Sequence, residues 1–286
     1  MAQLDAFLRA RPRLFALAYR MLGAHAEAED IIQEAWVKWN AADVVRIESA
    51  EAWLTTVVTR MSIDRLRAAR RERDTYEGFW LPEPLVQVDE HTPEAASILA
   101  SDVSYALLWL MERLTPLERA AYLLREVFDQ DYADVASILG KGEAACRQLV
   151  HRAAKQLRAE SPRHFVDTNV QRELLERFIE AANEATPDAL RRLVAADAQL
   201  EGDGGGKVPS FRHILHGNER ISHLYAFMSR KYGRQLSYRV VMVNGGPGLL
   251  RYVNGQLESV QACTTNGTSI TGFYVVRNPD KLPKYL

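Results

Sequence analysis

Cysteine is scarce: the 286-residue chain holds two, Cys146 and Cys263. A disulfide framework is thereby excluded, and without a Cys-x-x-Cys or Cys/His spacing no zinc site is expected. Both thiols read as small buried hydrophobes. Long apolar runs are also missing. Nothing approaches the roughly 20 residues of a membrane span, and the opening MAQLDAFLRARPRLF lacks the charged start, apolar stretch and small-residue cleavage site of a signal peptide. A cytoplasmic chain with no membrane attachment is expected. Nor is there an excess of charge of either sign, since 36 Lys and Arg face 37 Asp and Glu for a net charge of −1. Any affinity for nucleic acid must therefore come from local patches. What remains is a globular composition, 47% hydrophobic and 26% charged, long enough for two or three domains.

The most informative stretch is 114–158, LTPLERAAYLLREVFDQDYADVASILGKGEAACRQLVHRAAKQLR. Thr115 can cap a helix with Pro116 and Glu118 in its first turn, and Leu117, Ala120, Ala121, Leu124, Val127 and Phe128 follow at three-four spacing. A second short helix, 132–139, is followed by the tight turn Gly140-Lys141-Gly142. The third helix buries Cys146, Leu149, Val150, Ala153 and Leu157. Its opposite face presents Ala144, Arg147, Gln148, His151 and Lys155, with Arg152 alongside: donors for base edges first, cations for phosphates further along. The plain alternative is a three-helix bundle with a solvated basic face.

Towards the N-terminus, 14–21 and 26–39 read as amphipathic helices separated by Gly23. The second turns Ala28, Ile31, Ile32, Ala35, Trp36 and Trp39 inward and Glu27, Asp30, Gln33 and Glu34 outward. A longer helix covers 50–73. Trp53, Leu54, Val57, Val58, Met61 and Leu66 can pack inward, leaving Thr55, Thr56, Thr59, Arg60, Asp64, Arg65 and Arg67 on the other side. Six arginines between Arg60 and Arg73 face two acids, Asp64 and Glu72. A hydroxyl-rich segment leading into an arginine-rich one suits single-stranded DNA, although a charged surface helix ending in a basic linker has the same composition.

Taken together and in this order, these segments resemble a bacterial sigma factor of the extracytoplasmic-function class. AEDIIQEAWVKW resembles the polymerase-binding helix and AWLTTVVTRMSIDRLRAARR the helix that melts and reads the minus-ten element. LTPLERAAYLLREVF with YADVASILGKGEAACRQLVHRAAKQL resembles the region that reads the minus-thirty-five element. The resemblance implies that Asp30, Gln33 and Glu34 contact the core polymerase, through its beta-prime subunit. It implies minus-ten contacts from Arg60, Asp64, Arg65 and Arg67. Minus-thirty-five contacts would come from Glu143, Ala144, Arg147, Gln148, His151, Arg152 and Lys155. Loop 44–49 is where the family captures a flipped base, and VRIES offers few readers there.

Between the two readers, 75–97 carries prolines at 82, 84 and 93. Trp80-Leu81-Pro82-Glu83-Pro84 forms a semi-rigid extended strap whose tryptophan and leucine prefer burial, so it is expected to dock on a neighbouring domain. Beyond the last sigma-like helix, 170–182, 188–195 and 221–232 read as helices. Segments 236–243, 249–253, 257–263 and 269–276 alternate as strands between Asn-Gly and Gly-Gly turns, giving an α+β unit with an antiparallel sheet. That part resembles the SnoaL-like, nuclear-transport-factor-like cone, and the whole chain resembles the sigma J subgroup, which carries such a domain.

Three short motifs carry the closer match: WLPEP, the run Asp203-Gly204-Gly205-Gly206-Lys207, and the run Asn278-Pro279-Asp280-Lys281-Leu282. The glycines of the second could let backbone amides approach a phosphate, but Val208 follows Lys207, so the full phosphate-loop pattern is absent. A tight turn contacting the strap or the sigma modules is the stronger reading.

The expected architecture is thus multidomain: 1–76 for polymerase and minus-ten binding, 77–98 a linker, 99–160 a helix-turn-helix, and 165–286 a SnoaL-like regulatory domain with room for a small apolar ligand. No cofactor, no metal and no obligatory anti-sigma factor are expected, and the chain is read as a promoter-specificity subunit rather than an enzyme. Two rivals stay open. One is a stand-alone helix-turn-helix regulator; the other is a SnoaL-type enzyme, in which Glu201, Asp203, His213, His216 and His223 would be the candidate groups, with a DNA-binding regulatory half.

Overall fold

A computed structural model describes residues 2–87, 104–160 and 166–284; the second half of the linker, with Pro93, and the junction 161–165 lie outside the described residues. The chain forms two compact units. One contains Met1–Asp74 and Leu107–Ser161, the other Thr75–Asp89, Ser104–Ala106 and Pro162–Leu286.

The first unit is helical. It opens with α1 (Ala2–Leu22), which starts a full twelve residues before the expected 14 and carries Pro12 inside it. Gly23, at φ 72°, turns the chain into α2 (His25–Asn40), and α3 (Ala50–Asp74) follows a single 3-10 turn at Val44–Arg46. Leu14, Leu17 and Met21 of α1, Ile31 of α2, and Leu54 and Val58 of α3 make the shared core. Thr59 and Ser62 are buried as well, which corrects the expected outward position of Thr59: the inward face of α3 is wider than its apolar stripe.

After α4 (Tyr105–Met111), Thr115 caps α5 (Pro116–Tyr122) with a reciprocal Thr115/Glu118 capping box. The helix expected to run on to Phe128 instead widens into a π turn over Leu123–Val127. Asp131 caps α6 (Tyr132–Leu139), and Gly140 ends it at φ 63°, a left-handed conformation that glycine adopts without penalty. The third helix of the trio is α7 (Glu143–Glu160). Buried Arg119 of α5 ties these helices to α1: its Nε donates to the Met111 carbonyl at 2.9 Å, and its Nη1 to the Met21 carbonyl at 2.6 Å and to Glu112 at 2.9 Å.

The described residues of the second unit include the α-helices α8 (Thr168–Asn183), α9 (Pro187–Leu193) and α10 (Asn218–Tyr232), packed on a sheet. Its strands are β1 (Val86–Gln87), β2 (Val194–Asp203), β3 (Leu215–His216), β4 (Leu236–Val243), β5 (Gly246–Val253), β6 (Gln256–Thr265) and β7 (Ile270–Val276), in the order β1-β4-β5-β6-β7-β2-β3. The expected all-antiparallel sheet needs one correction, because β2 runs parallel to β7. That long strand replaces the end of the helix expected over 188–195, since the chain leaves Leu193 directly into it. Phe178 of α8, Tyr225 of α10 and Phe273 of β7 meet with ring centroids 4.8 to 5.4 Å apart and fill the centre of the core.

Arg119→Ala removes the donor to two buried carbonyls and to Glu112, so a loss of about 3 kcal/mol or more is expected in urea unfolding of the helical unit. A loss below about 1 kcal/mol would show that water replaces the guanidinium without cost.

Candidate nucleic-acid interface and the strap clasp

On α2, Ala28, Ile31, Ile32 and Ala35 go into the core while Asp30, Gln33 and Glu34 stand exposed on the other side. The face is acidic and solvated, and among the described residues Glu34 has an ion partner there, Arg65 at 3.5 Å. Along α3, Arg60, Asp64 and Arg67 are exposed and Arg65 is half-buried, and Arg67 pairs with Asp64 at 3.2 Å. The side chains of the Arg70-Arg71 pair lie outside the described residues.

Arg60 behaves differently from its neighbours. Its Nε donates to the Ile138 carbonyl at 2.9 Å and its Nη2 to the Ser137 carbonyl at 3.1 Å. These carbonyls lie at the C-terminal end of α6, where a helix exposes unpaired acceptors and the negative end of its dipole. The minus-ten candidate is therefore engaged by the helix-turn-helix within the same unit.

All the minus-thirty-five candidates share one side of α7. Glu143, Ala144, Arg147, Gln148, His151, Arg152 and Lys155 are exposed, whereas Cys146, Leu149, Val150, Ala153 and Leu157 are buried. This division follows from the 3.6-residue period. Arg147 pairs with Glu143 at 2.8 Å one turn away and stacks over Tyr132 at 4.6 Å, and Arg152 pairs with Glu118 at 2.8 Å. Glu118 thus serves both the α5 cap and a cation of the reading face. Burial raises its carboxyl pKa, but hydrogen bonds from Arg152 and Thr115 outweigh that and hold it below the ordinary value. Gln148, His151 and Lys155 are presented outward on the same face.

The second constellation lies wholly within the sheet unit and brings the three motifs together. Asp203, at the end of β2 and fully buried, accepts four hydrogen bonds. Oδ1 receives the Tyr76 hydroxyl at 2.6 Å and the Gly205 amide at 3.0 Å; Oδ2 receives the Leu81 amide at 3.0 Å and Lys281 Nζ at 2.8 Å. Lys281 also donates to the Leu81 carbonyl at 2.7 Å, and its ammonium sits 3.5 Å over the Trp80 ring. Asn278 donates from Nδ2 to the Tyr76 oxygen at 2.8 Å. Burial, and after it the hydrogen bond to Asp203, push the Tyr76 phenol well above its usual pKa.

The glycines of this loop have separate reasons. The Lys207 and Val208 amides close the turn onto the Gly204 carbonyl; a side chain at Gly204 would overlap the Val208 carbonyl, and one at Gly205, already at φ 62°, would overlap the Asn278 carboxamide. Gly206 faces Glu77, and Lys207 pairs with Asp280 at 2.5 Å. No phosphate nest remains open, because the strap and the C-terminal run occupy the loop. Of the other motif residues, Leu81, Pro82 and Pro84 are buried, Glu83 and Leu282 are half-buried, and Pro279 is exposed. The strap's centre and its C-terminal flank are held too: Tyr105 donates to the Pro82 carbonyl at 2.6 Å, and Val86 and Gln87 pair with Val243 and Met242 as an edge strand. Tyr76 escapes a sequence reading, since only its spacing from Trp80, one helical turn's worth of residues in an extended segment, hints at a second aromatic anchor.

Residues 6–72 match the family model for Sigma-70 region 2, and residues 105–157 match that for Sigma-70, region 4. The chain is 34% identical to the ECF RNA polymerase sigma factor SigJ of Mycobacterium tuberculosis, over 98% of this chain and 93% of the relative. It belongs to the extracytoplasmic-function sigma factors. A second M. tuberculosis relative, the probable ECF RNA polymerase sigma factor SigI, is 30% identical over 95% of this chain and 92% of its own. The similarity extends to the fold: the crystal structure of M. tuberculosis SigJ superposes with a TM-score of 0.81 at 31% identity, covering 97% of each chain. This sigma factor accordingly has helical region 2 and region 4 modules followed by an α+β, SnoaL-like domain, and no described helix is long and apolar enough to cross a membrane.

Asp203→Asn leaves at least one of four donors facing an amide NH2 and strips Lys281 of its counter-ion. Stability should fall by about 3 kcal/mol, and amide exchange at Leu81 together with protease cleavage near residues 77–87 should accelerate. Unchanged exchange at Leu81 would show that the strap is held without the carboxylate.

Proposed function

We propose that this alternative sigma factor directs core RNA polymerase to specific promoters through two surfaces that act only together, and that its SnoaL-like domain tunes the process in cis. Asp30, Gln33 and Glu34 would meet the beta-prime subunit. Arg60, Asp64, Arg65 and Arg67 would work on the opened minus-ten strand, and the exposed face of α7 in the minus-thirty-five major groove. We keep the functional division 1–76, 77–98, 99–160 and 165–286. Near-neutral net charge is no obstacle, because a polymerase that holds both readers converts two weak contacts into one strong one. The site of action is the cytoplasm, and no obligatory anti-sigma factor is required.

The observation that carries the cis-regulatory part is the clasp. The segment joining region 2 to region 4 meets the C-terminal domain at both ends, through Tyr76, Leu81 and Val86 on one side and, on the other, Tyr105, whose ring packs against Tyr274 of β7 while its hydroxyl donates to the strap at Pro82. Whatever loosens Asp203 or Lys281 changes the tether between the two readers.

An enzymatic reading finds less support. The sigma factor family is not catalytic, and in the C-terminal domain the Asp203 carboxylate is consumed by its four donors, while His213, His216 and His223 are exposed on separate elements. They do not converge on a reacting atom.

Promoter-dependent transcription by reconstituted polymerase separates these readings. Full-length protein and versions cut at about residue 165, or just before Asn278, should differ in output severalfold, and Asp30→Lys with Glu34→Lys should abolish co-purification with core enzyme. Equal output from all three lengths defeats cis regulation; tight binding to duplex DNA without polymerase, together with unaffected co-purification, defeats the sigma mechanism.

A further inference from the structure

Inside the SnoaL-like domain, between α10 and the concave face of the sheet, lies a cavity of about 270 Å³ that takes no part in the clasp. One wall is apolar. Leu224 and Met228, a helical turn apart on α10, face Leu200 of β2 and Val275 of β7. The opposite end is cationic: Arg251, Arg277 and Lys231 line it, and no carboxylate or histidine does among the described residues.

Strand register explains the cationic end. Arg251 of β5 is paired with Ser259 of β6, and Arg277 continues β7 one residue past Val276, the partner of Val260, so the two arginines flank β6 at the level of Ser259 from the strands on either side of it. A single carboxylate, Glu258, serves both, at 2.6 Å from Arg251 and 2.5 Å from Arg277. Burial would raise the Glu258 pKa, but the Arg251 charge outweighs it and keeps the carboxyl below its usual value, so it is ionised near neutral pH. Arg251 is buried and Arg277 half-buried, so two guanidiniums against one carboxylate leave a positive charge uncompensated in a largely desolvated site, which is costly unless an anion joins them.

Two further polar atoms at the cavity lack partners among the described residues. Ser210 Oγ and Arg277 Nε are both buried and make no hydrogen bond. Ser210 stands over Gly202, where a side chain would come within 2.6 Å of its hydroxyl, so the glycine keeps that corner open. An N–H and an O–H without acceptors, beside surplus positive charge, are what a carboxylate satisfies.

We propose that this cavity binds a small amphipathic carboxylic acid, its carboxylate against Arg277, Ser210 and Arg251 and its apolar body against Leu224, Met228 and Val275. The volume, at the small end for ligand pockets, suits a medium-chain fatty acid or a monocyclic aromatic acid rather than a nucleotide. This refines the small apolar ligand expected from the sequence into an anion, and it holds whether or not the domain regulates transcription.

The test uses full-length protein, with octanoate and phenylacetate as probes and octan-1-ol, octylamine and inorganic phosphate as controls, followed by calorimetric titration and thermal unfolding. At least one acid should bind at a single site and raise the unfolding midpoint, with the alcohol, amine and phosphate each at least about tenfold weaker. Arg277→Met should weaken the acid at least about tenfold, and Met228→Trp, which fills the apolar wall and keeps every charge, should abolish binding even if the arginine variant does not fold. Alcohol binding as tightly as acid would overturn the anionic role, phosphate binding as tightly as acid would overturn the apolar one, and no binding by either acid at millimolar concentration would overturn the site. Unaltered binding to Met228→Trp would place any bound acid elsewhere.

Discussion

A buried carboxylate must have its charge answered from within the protein, and Asp203 has been answered by segments far apart in sequence. Its four donors come from Tyr76, Leu81, Gly205 and Lys281. An ionised group at the end of a strand is destabilising alone; with these donors it becomes a point that forces a linker, a glycine loop and the C-terminal run to share one position. Folding of the domain and capture of the strap are thus the same event energetically. That coupling is why the strap, although it lies between two helical modules in sequence, belongs structurally to the SnoaL-like domain.

The helical unit shows the complementary situation. The proposed reading face on α7 is solvent-exposed, whereas Arg60 on α3 is engaged by the end of α6. Arg13 reinforces the arrangement, donating to the Phe128 carbonyl at 2.8 Å, and with Arg20 it lies over the Phe128 ring at 5.7 and 5.5 Å. Such hydrogen bonds and cation–π contacts are each worth about 1 kcal/mol, little enough for a polymerase surface to displace. In this state the two proposed readers are joined within one unit, and on the proposed function separating them would be part of the work of the polymerase.

Periodic segments were legible in the sequence. The strands β4 to β7 stand out as runs rich in β-branched and aromatic residues between tight turns, and the helix-turn-helix announces itself by Thr115, Glu118 and Gly140. The segment VAADAQLEGD was not legible, because Val194 is its one β-branched residue and the apolar positions of its alternation are mostly alanine and glycine, while burial of Glu201 and Asp203 on its polar side has no local signal. Its helix-like start follows from the alanines. Site residues divide the same way: solvent-facing readers follow from periodicity, while Tyr76 and the Arg251, Glu258 and Arg277 group depend on long-range strand register that no local pattern encodes.

The cavity and the clasp, although they use different residues, share two strands. Gly202 borders the cavity and the next residue is Asp203; Arg277 lines it and the next is Asn278. The amides of Arg277 and Asn278 both donate to the Asp203 carbonyl, at 2.7 and 2.9 Å. Side chains alternate across a sheet, so a group on the inner face and its neighbour on the outer face are joined by a single rigid peptide unit. A shift of Arg277 toward an anion would therefore be felt at the clasp without any intervening flexible segment. Since Leu81 and Tyr105 are held by the same domain, the separation at which the linker leaves and rejoins it follows the geometry of the sheet rather than the contour length of the chain.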